Sequence, residues 1–276
     1  MNNHPFTRRH FLGTAMTAGL VLAAGPSLAA AIVTDNEGLT ADEVKIPVKG
    51  GETTAYCAYP AKGKQFATII VAHDVFGVGA HMQDIVRRLA KLGYLAICPN
   101  LFSRAGDVSK MTDEIDIMRT VISKITDADI LADLDSTVAW LKKSGKADLK
   151  RLGMTGFGWG GRVVWLYAAH DPKLRAAVSW YGFLSAPRDP NGRSAISLAG
   201  LIKPPVLGLY GGKDDYIMES DAKVMEAALK GKKSEVVIFP GVKHGFMSDD
   251  RPSYDAKASA DGWDRMKVWF YNNGVV

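Results

Sequence analysis

Residues 156–160 have the arrangement of a nucleophile elbow, a sharp turn from a β-strand into an α-helix. In such a turn the central residue is a Ser or Cys that attacks an acyl carbon, and flanking glycines let the backbone pack closely. Here Gly156 and Gly160 flank a third glycine, Gly158, which has no side chain to attack with. The alternatives are an ordinary glycine-rich turn and a dinucleotide-binding loop, although the glycine register of that loop is absent. The segment therefore predicts acyl chemistry with the nucleophile position empty.

A candidate acid and a candidate base follow the elbow in the chain. Asp214 comes after a predicted strand at 205–210, and His244 comes shortly after a predicted strand at 235–239. Active sites in an open α/β sheet lie at the carboxyl ends of the strands. Both side chains would therefore face the elbow. His244 would accept the nucleophile's proton, and Asp214 would orient the imidazole and stabilise its charged form. Taken singly, each residue could instead be an ordinary loop residue, and Asp215 could take the place of Asp214.

A third group of candidates follows the strand-like run Ala-Thr-Ile-Ile-Val-Ala. Asp74 could help to form and place a thiolate, which a Cys nucleophile requires. The backbone N–H groups of Val75 and Trp159 would form an oxyanion hole, because Trp159 directly follows the elbow position. The neighbouring His73, and His81 beyond it, are expected to be structural.

Buried β-branched runs alternate with segments of helical period, which is typical of a mostly parallel sheet with helices on both faces. The first two strands have alternating patterns around Gly50-Gly51 and predict an N-terminal antiparallel hairpin. One α/β domain over residues 43–272, after a linker at 30–42, is therefore expected. The predicted strands are 43–48, 53–59, 67–72, 94–98, 150–155, 176–180, 205–210 and 235–239. The predicted helices are 82–92, one or two within 110–145, 161–170, 221–229 and 255–271.

The first 29 residues read as an export signal. Residues 7–12, Thr-Arg-Arg-His-Phe-Leu, form a twin-arginine pattern that the export machinery would bind, and a short apolar run and a Ser-Leu-Ala triplet follow. The apolar run is short for a membrane span, and an amphipathic surface helix is the weaker alternative. We expect cleavage near residues 29–31, a periplasmic or secreted product, and no stable membrane span after cleavage.

The composition and charge of the chain limit the kinds of partner that it is expected to bind. With 276 residues, 47% hydrophobic residues and six Trp, the chain can bury one substantial core. The formal charge of +5 is dispersed along the chain, so nucleic acid is not an expected partner. No cofactor motif and no zinc-ligand spacing are visible, so neither a cofactor nor a metal is expected. Cys57 and Cys98 lie in apolar runs and are expected to be free core thiols, although export would permit a disulfide.

The chain resembles the dienelactone hydrolase (carboxymethylenebutenolidase) family of the α/β-hydrolase superfamily from about residue 43 to residue 272. The resemblance implies an α/β-hydrolase fold and hydrolysis of an enol-lactone or related ester. It also implies a Cys at the position of Gly158, acting with His244, Asp214 and a carboxylate at position 74. The matching segments are His73-Asp74-Val75-Phe76-Gly77-Val78, residues 93–101, residues 156–161, Gly211-Gly212-Lys213-Asp214 and His244-Gly245-Phe246.

The sequence departs from the family pattern at three places. Position 158 is Gly, and Asp74 stands where the family has Glu. The family's carboxylate-binding arginine would fall near Ser248, and the nearest arginine is Arg251. We take Arg251, Arg104, Phe76 and Tyr181 as candidate substrate-binding residues. The expected partner is a small ester or lactone, with an anionic one as an option, and the protein is expected to be a monomer.

Three functions are compatible with this pattern. The first is an exported ester or lactone hydrolase that has lost its nucleophile at Gly158. The second is a periplasmic binding protein that keeps the pocket but does no chemistry. The third is a hydrolase in which His244 and Asp214 activate water directly at the empty position.

Overall fold

The computed structural model describes residues 31–185 and 192–276. The predicted export signal at 1–29 lies outside the described residues. The first strand begins at Leu39, within the range 30–42 that is predicted to be a linker.

A single eight-stranded sheet forms the centre of the fold, in the order β1-β2-β4-β3-β5-β6-β7-β8. The β1–β2 and β2–β4 pairs are antiparallel, and the remaining pairs are parallel. The predicted fold, a mostly parallel sheet with an N-terminal hairpin, is therefore confirmed. The strands are β1 (Leu39–Val48), β2 (Gly51–Pro60), β3 (Phe66–Ala72), β4 (Leu95–Pro99), β5 (Ala147–Phe157), β6 (Ala176–Trp180), β7 (Val206–Gly211) and β8 (Glu235–Phe239).

Helices connect these strands at the places where helical periodicity was predicted. The region 110–145 contains two α-helices separated by a short 3-10 helix, and a four-residue helix at 195–198 had no sequence signal strong enough to predict it. The helices are α1 (Ala80–Lys91), α2 (Glu114–Thr120), α3 (Asp127–Ser144), α4 (Trp159–His170), α5 (Ala195–Leu198), α6 (Glu219–Ala228) and α7 (Ala256–Asn272). Among the described residues, none of the helices has the length and apolar character that a bilayer crossing requires.

The central strands are buried on both faces, which explains their continuous apolar runs. All residues of β4, β6 and β7 are buried, as are all but the first of β3. The register aligns the carboxyl ends of neighbouring strands: Ala72 pairs with Gly156, Phe157 with Trp180, and Gly211 with Phe239. The loops that leave these strands therefore converge at one edge of the sheet.

The two cysteines are free and buried, as expected. They lie on adjacent antiparallel strands, where Cys57 is opposite Ile97 and Cys98 is opposite Tyr56. Residues that are directly opposite share a face, and successive residues alternate faces. The Cys57 and Cys98 side chains therefore point to opposite faces of the sheet and cannot form a disulfide in this register.

Candidate active site

The predicted elbow is a turn of one residue between β5 and α4. Gly158 has φ +54° and ψ −113°, a conformation that L side chains resist, and its N–H donates to the Trp180 carbonyl at 3.0 Å. The turn brings α4 so close to β3 that a Cβ on Gly160 would lie 2.2 Å from the Ala72 oxygen. Within the described part of the chain, and apart from its two chain neighbours, a Cβ on Gly158 would meet only the His244 Nε2, at 3.7 Å. The elbow position is thus open space that faces the imidazole.

His244 and Asp214 form a hydrogen-bonded pair. The imidazole Nδ1 lies 2.8 Å from the Asp214 Oδ2, and the other carboxylate oxygen accepts the N–H groups of Tyr216 and Ile217 at 2.8 and 2.9 Å. The Asp214 side chain is inaccessible to solvent, whereas the His244 side chain is 17% exposed. Because the Asp214 carboxylate accepts a hydrogen bond from Nδ1–H, Nε2 carries no proton in the neutral ring. Nε2 is therefore the basic atom, and it faces the elbow. Asp214, and not Asp215, occupies the position beside the imidazole.

Aromatic rings surround the imidazole. Tyr181 and Tyr216 both make edge contacts with His244 at 5.0 Å between ring centroids, and Phe183 lies 6.1 Å away. Tyr181 has φ +40°, which is unusual for a residue with a side chain, and burial raises the pKa of its phenol. The rings restrict the orientation of His244 and supply apolar surface for a substrate.

A cleft that is open to solvent on one side joins these residues, and its space together with the adjoining solvent is about 480 Å³. Its described lining consists of Asp74, Val75, Glu114, Met118, Ile122, Gly158, Trp159, Tyr181, Phe183, Tyr216, His244 and Arg251.

Asp74 is held by two partners on the cavity wall. One carboxylate oxygen accepts the Phe76 N–H at 2.8 Å, and the other accepts a short hydrogen bond from the Arg251 guanidinium. The guanidinium also lies over the Phe76 ring, 4.4 Å from its centroid. Phe76 itself does not appear in the cavity lining, so it acts on the site by positioning Arg251.

The predicted oxyanion residues, Val75 and Trp159, both line the cavity. Trp159 is the first residue of α4, and the first N–H groups of a helix have no partner within the helix. The positive end of the helix dipole adds to the attraction for a developing negative charge. This arrangement can stabilise an oxyanion beside position 158.

Arg104 lies elsewhere. It forms a short ion pair with the buried Asp133 and is absent from the described cavity lining. Its guanidinium also lies 4.0 Å from Asp129, on the same helix α3. The structure therefore gives Arg104 a role in attaching its loop to α3.

The two histidines that were expected to be structural have different surroundings. The His73 Nδ1 lies 2.7 Å from the Asp74 carbonyl, and its Nε2 accepts the Leu101 N–H at 3.0 Å, so the ring joins two strand ends. Burial lowers the pKa of His73, in agreement with a neutral ring. His81 has possible ligand atoms of Asp249 and Asp250 within 4.8 Å, a metal-like grouping that the sequence did not suggest. The Arg88 guanidinium already pairs with Asp249 there and would oppose a metal cation.

Two polar residues of the cavity were missed by the sequence analysis. Glu114 begins α2, and Tyr216 lies in the loop after β7. Asp113 caps α2 by accepting the N–H groups of Ile115 and Asp116, and this helix start was detectable from the sequence. That α2 lies over the carboxyl ends of the strands was not detectable, because it depends on the path of the loop between β4 and α3.

Comparison with known proteins shows the family of this chain. Residues 53–273 match the family model described as "Dienelactone hydrolase family". This chain belongs to the dienelactone hydrolase family.

Several dienelactone hydrolase relatives are similar over nearly their full length. A protein of Methylorubrum extorquens named "Putative carboxymethylenebutenolidase" is 46% identical, with 98% of this chain and 94% of the relative covered. An Escherichia coli protein of the same name is 39% identical, with 95% and 98% covered. A crystal structure from Klebsiella pneumoniae, described as a "Putative Dienelactone Hydrolase", superposes with a TM-score of 0.81 at 41% identity, covering 84% of this chain and 98% of that one.

Proposed function

We propose that this dienelactone hydrolase family member is an ester or lactone hydrolase in which Gly158 has removed the nucleophile, so that its own turnover is very low. The observation that carries the proposal is the distance of 3.7 Å between the His244 Nε2 and the position of a Cβ on residue 158. The pair of His244 and Asp214, and the presence of Val75 and Trp159 in the cavity wall, support the proposal. The attacking atom is what the site lacks.

The same geometry defines the reaction of a Gly158→Cys variant. His244 takes the thiol proton, the thiolate sulfur attacks the acyl carbon, and the Val75 and Trp159 N–H groups bind the oxyanion. Collapse of this intermediate breaks the ester C–O bond, and His244 returns the proton to the leaving oxygen. Water, deprotonated by His244, then attacks the thioester carbon; the C–S bond breaks, the acid is released, and His244 returns the proton to the Cys thiolate.

Water activation by the dyad is the second candidate function, and one specific observation favours it. The space beside the His244 Nε2 that a side chain would fill is open in this chain, so a water molecule could be activated there. In that case the parent protein itself would hydrolyse esters, and the activity would depend on His244 and Asp214. If neither the parent nor the Gly158→Cys variant hydrolyses esters, the site is better described as a binding pocket.

The test compares the parent, Gly158→Cys, His244→Ala and the double variant on a small aryl ester and an enol-lactone. We expect Gly158→Cys to raise kcat/KM by about a thousandfold or more, and His244→Ala to abolish the gain. Rapid parent turnover that His244→Ala removes would establish the water-activating dyad instead. A Gly158→Cys protein that stays inactive on a broad ester panel would support the binding-protein function.

We also propose export through the twin-arginine pathway to the periplasm or the medium, followed by function as a monomer. The support is the Arg8-Arg9 pattern and the apolar run that follows it. A reporter fused behind residues 1–35 should be exported, and replacement of both arginines by Lys should stop it. Sedimentation of the mature protein tests the monomer.

A further inference from the structure

We infer that His73 is a positioning residue, whose imidazole fixes the peptide group that carries the Val75 N–H donor of the proposed oxyanion hole. His73 does not line the described cavity wall, so it acts through the peptide bond between Asp74 and Val75 and not on the substrate itself. The inference rests on the proposed function, because an oxyanion forms only if the site carries out acyl transfer.

The hydrogen bonds of the His73 imidazole determine which of its nitrogens carries the proton. Nε2 lies 3.0 Å from the backbone nitrogen of Leu101, and since an N–H group can only donate, Nε2 must accept. A neutral imidazole has one N–H, so Nδ1 carries the proton and donates it to the Asp74 carbonyl, 2.7 Å away. His73 is inaccessible to solvent, and this burial keeps the ring neutral by lowering its pKa. The surroundings of the ring therefore select the Nδ1–H tautomer.

The Asp74 carbonyl and the Val75 N–H belong to one peptide group. A peptide group is planar, and in its trans form the C=O and N–H bonds point in opposite directions. No cis peptide bond occurs in the described part of the chain. The Asp74 oxygen is held by the His73 Nδ1–H and by the Gly77 N–H, at 3.2 Å. Because these two donors fix the direction of the C=O bond, they also fix the direction of the Val75 N–H.

The Val75 N–H is free to bind an oxyanion, whereas the next two N–H groups of this turn are not. The Phe76 N–H donates to the Asp74 carboxylate at 2.8 Å, and the Gly77 N–H donates to the Asp74 carbonyl. Within residues 31–185 and 192–276, no hydrogen-bond acceptor is found for the Val75 N–H, and Val75 lines the cavity. A backbone donor in this state can bind a negatively charged oxygen without first giving up a partner in the protein.

His73 also contacts Trp159, the residue that carries the second proposed oxyanion donor. The imidazole stacks on the Trp159 indole, with 5.5 Å between ring centroids and 19° between ring planes. Phe102 contacts both rings, at centroid distances of 4.5 and 4.7 Å, and all three side chains are buried. Close packing of this kind restricts rotation of the imidazole. The Nδ1–H donor therefore stays directed at the Asp74 carbonyl.

The experiment compares two reactions of the thiol that Gly158→Cys introduces. With p-nitrophenyl acetate the thiolate attacks the carbonyl carbon, an oxyanion forms, and p-nitrophenolate leaves. With iodoacetamide the thiolate attacks a methylene carbon and iodide leaves, so no oxyanion forms. The ratio of the acylation rate to the alkylation rate therefore measures oxyanion stabilisation separately from the amount of thiolate. The parent protein supplies the background from Cys57 and Cys98, which are buried.

Two amide substitutions of His73, each made in the Gly158→Cys background, separate its two hydrogen bonds. The shorter His73→Asn keeps an N–H donor near the position of Nδ1, whereas the longer His73→Gln keeps only an acceptor near the position of Nε2. We expect His73→Gln to lower the ratio by about ten- to a hundredfold, and His73→Asn to keep it within about threefold. Both variants lose the ring and one hydrogen bond, so a general loss of stability would lower both ratios alike.

A second measurement needs neither acylation nor a substitution. Two-bond ¹⁵N–¹H correlations of the imidazoles in the parent protein identify the tautomer of His73. We expect the Nδ1–H tautomer at neutral pH, because the Leu101 N–H occupies the lone pair of Nε2. An Nε2–H tautomer, or a doubly protonated ring, would overturn the inference even if both His73 variants failed to fold.

The kinetic outcomes distinguish this inference from the proposed function. Rapid acylation of Gly158→Cys that His73→Gln leaves unchanged, or that His73→Asn lowers as much as His73→Gln does, overturns the positioning role alone. A Gly158→Cys thiol that is alkylated but not acylated, in a protein with the Nδ1–H tautomer, contradicts the proposed function alone. In that case His73 still fixes the Val75 peptide, in a site that does not carry out acyl transfer.

Discussion

Gly158 has a backbone conformation that makes the energetic effect of any side chain there calculable. At φ +54° and ψ −113°, a residue with a Cβ bears backbone strain of about 1–3 kcal/mol. Replacing Gly also restricts the unfolded chain, which returns about 0.4–1 kcal/mol. Steric repulsion adds little, because among the described residues beyond its chain neighbours the added Cβ meets only the His244 Nε2 within 4 Å, at 3.7 Å. We therefore expect Gly158→Ala and Gly158→Cys each to lower the free energy of unfolding by about 1–2 kcal/mol.

A matched glycine two residues later tests whether strain or space determines the effect. A Cβ on Gly160 would lie 2.2 Å from the Ala72 oxygen and 2.4 Å from the His73 oxygen, so backbone must move. We expect Gly160→Ala to cost more than about 4 kcal/mol, the range of exceptional single substitutions.

Urea unfolding followed by circular dichroism measures these differences, provided that the slope with denaturant stays constant among the variants. Heat unfolding should show the smaller cost as a fall in Tm of about 2–8 °C for a domain of this size. An unchanged or raised stability of Gly158→Ala would contradict the strain argument. A Gly160→Ala protein as stable as Gly158→Ala would contradict the packing of the elbow against β3.

Three further predictions concern other buried groups. The Arg162 guanidinium is fully buried and binds both Asp127 oxygens, at 2.7 and 2.8 Å, so Arg162→Met should cost about 3–5 kcal/mol of unfolding free energy. Addition of Asp127→Ala should recover part of that loss in urea unfolding. Burial lowers the pKa of His73 below its ordinary 6.5, so its contribution to stability is complete above that pH and declines as the pH falls below it. Urea midpoints should accordingly fall between about pH 7.5 and pH 5.5, and they should fall less in His73→Gln. Burial raises the pKa of Cys57 to about 12, and it raises that of Cys98 as well. A thiol reagent at mild pH should therefore modify both residues only after unfolding, and rapid modification of the folded protein would show that these thiols are accessible.

The fold class and the order of the candidate site residues follow from the sequence alone. The run at β3 is apolar and β-branched because the strand is covered on both faces, so the pattern and the burial have the same cause. The elbow could be recognised from the sequence because close packing of α4 against β3 requires glycine at fixed spacing around position 158. Asp214 and His244 could be assigned because each follows a predictable strand, and parallel strands bring their carboxyl ends together.

The charge environment of the cavity was decided only by the tertiary structure. Arg251 pairs with Asp74 across 177 positions of sequence, and no local pattern relates the two residues. Arg104, which the sequence placed near the substrate, turns to Asp133 on α3 instead. Glu114 reaches the cavity because α2 lies over the strand ends, which depends on the path of a loop. Periodicity records which face of an element is buried, whereas the partner of a charged loop side chain depends on how distant loops pack together.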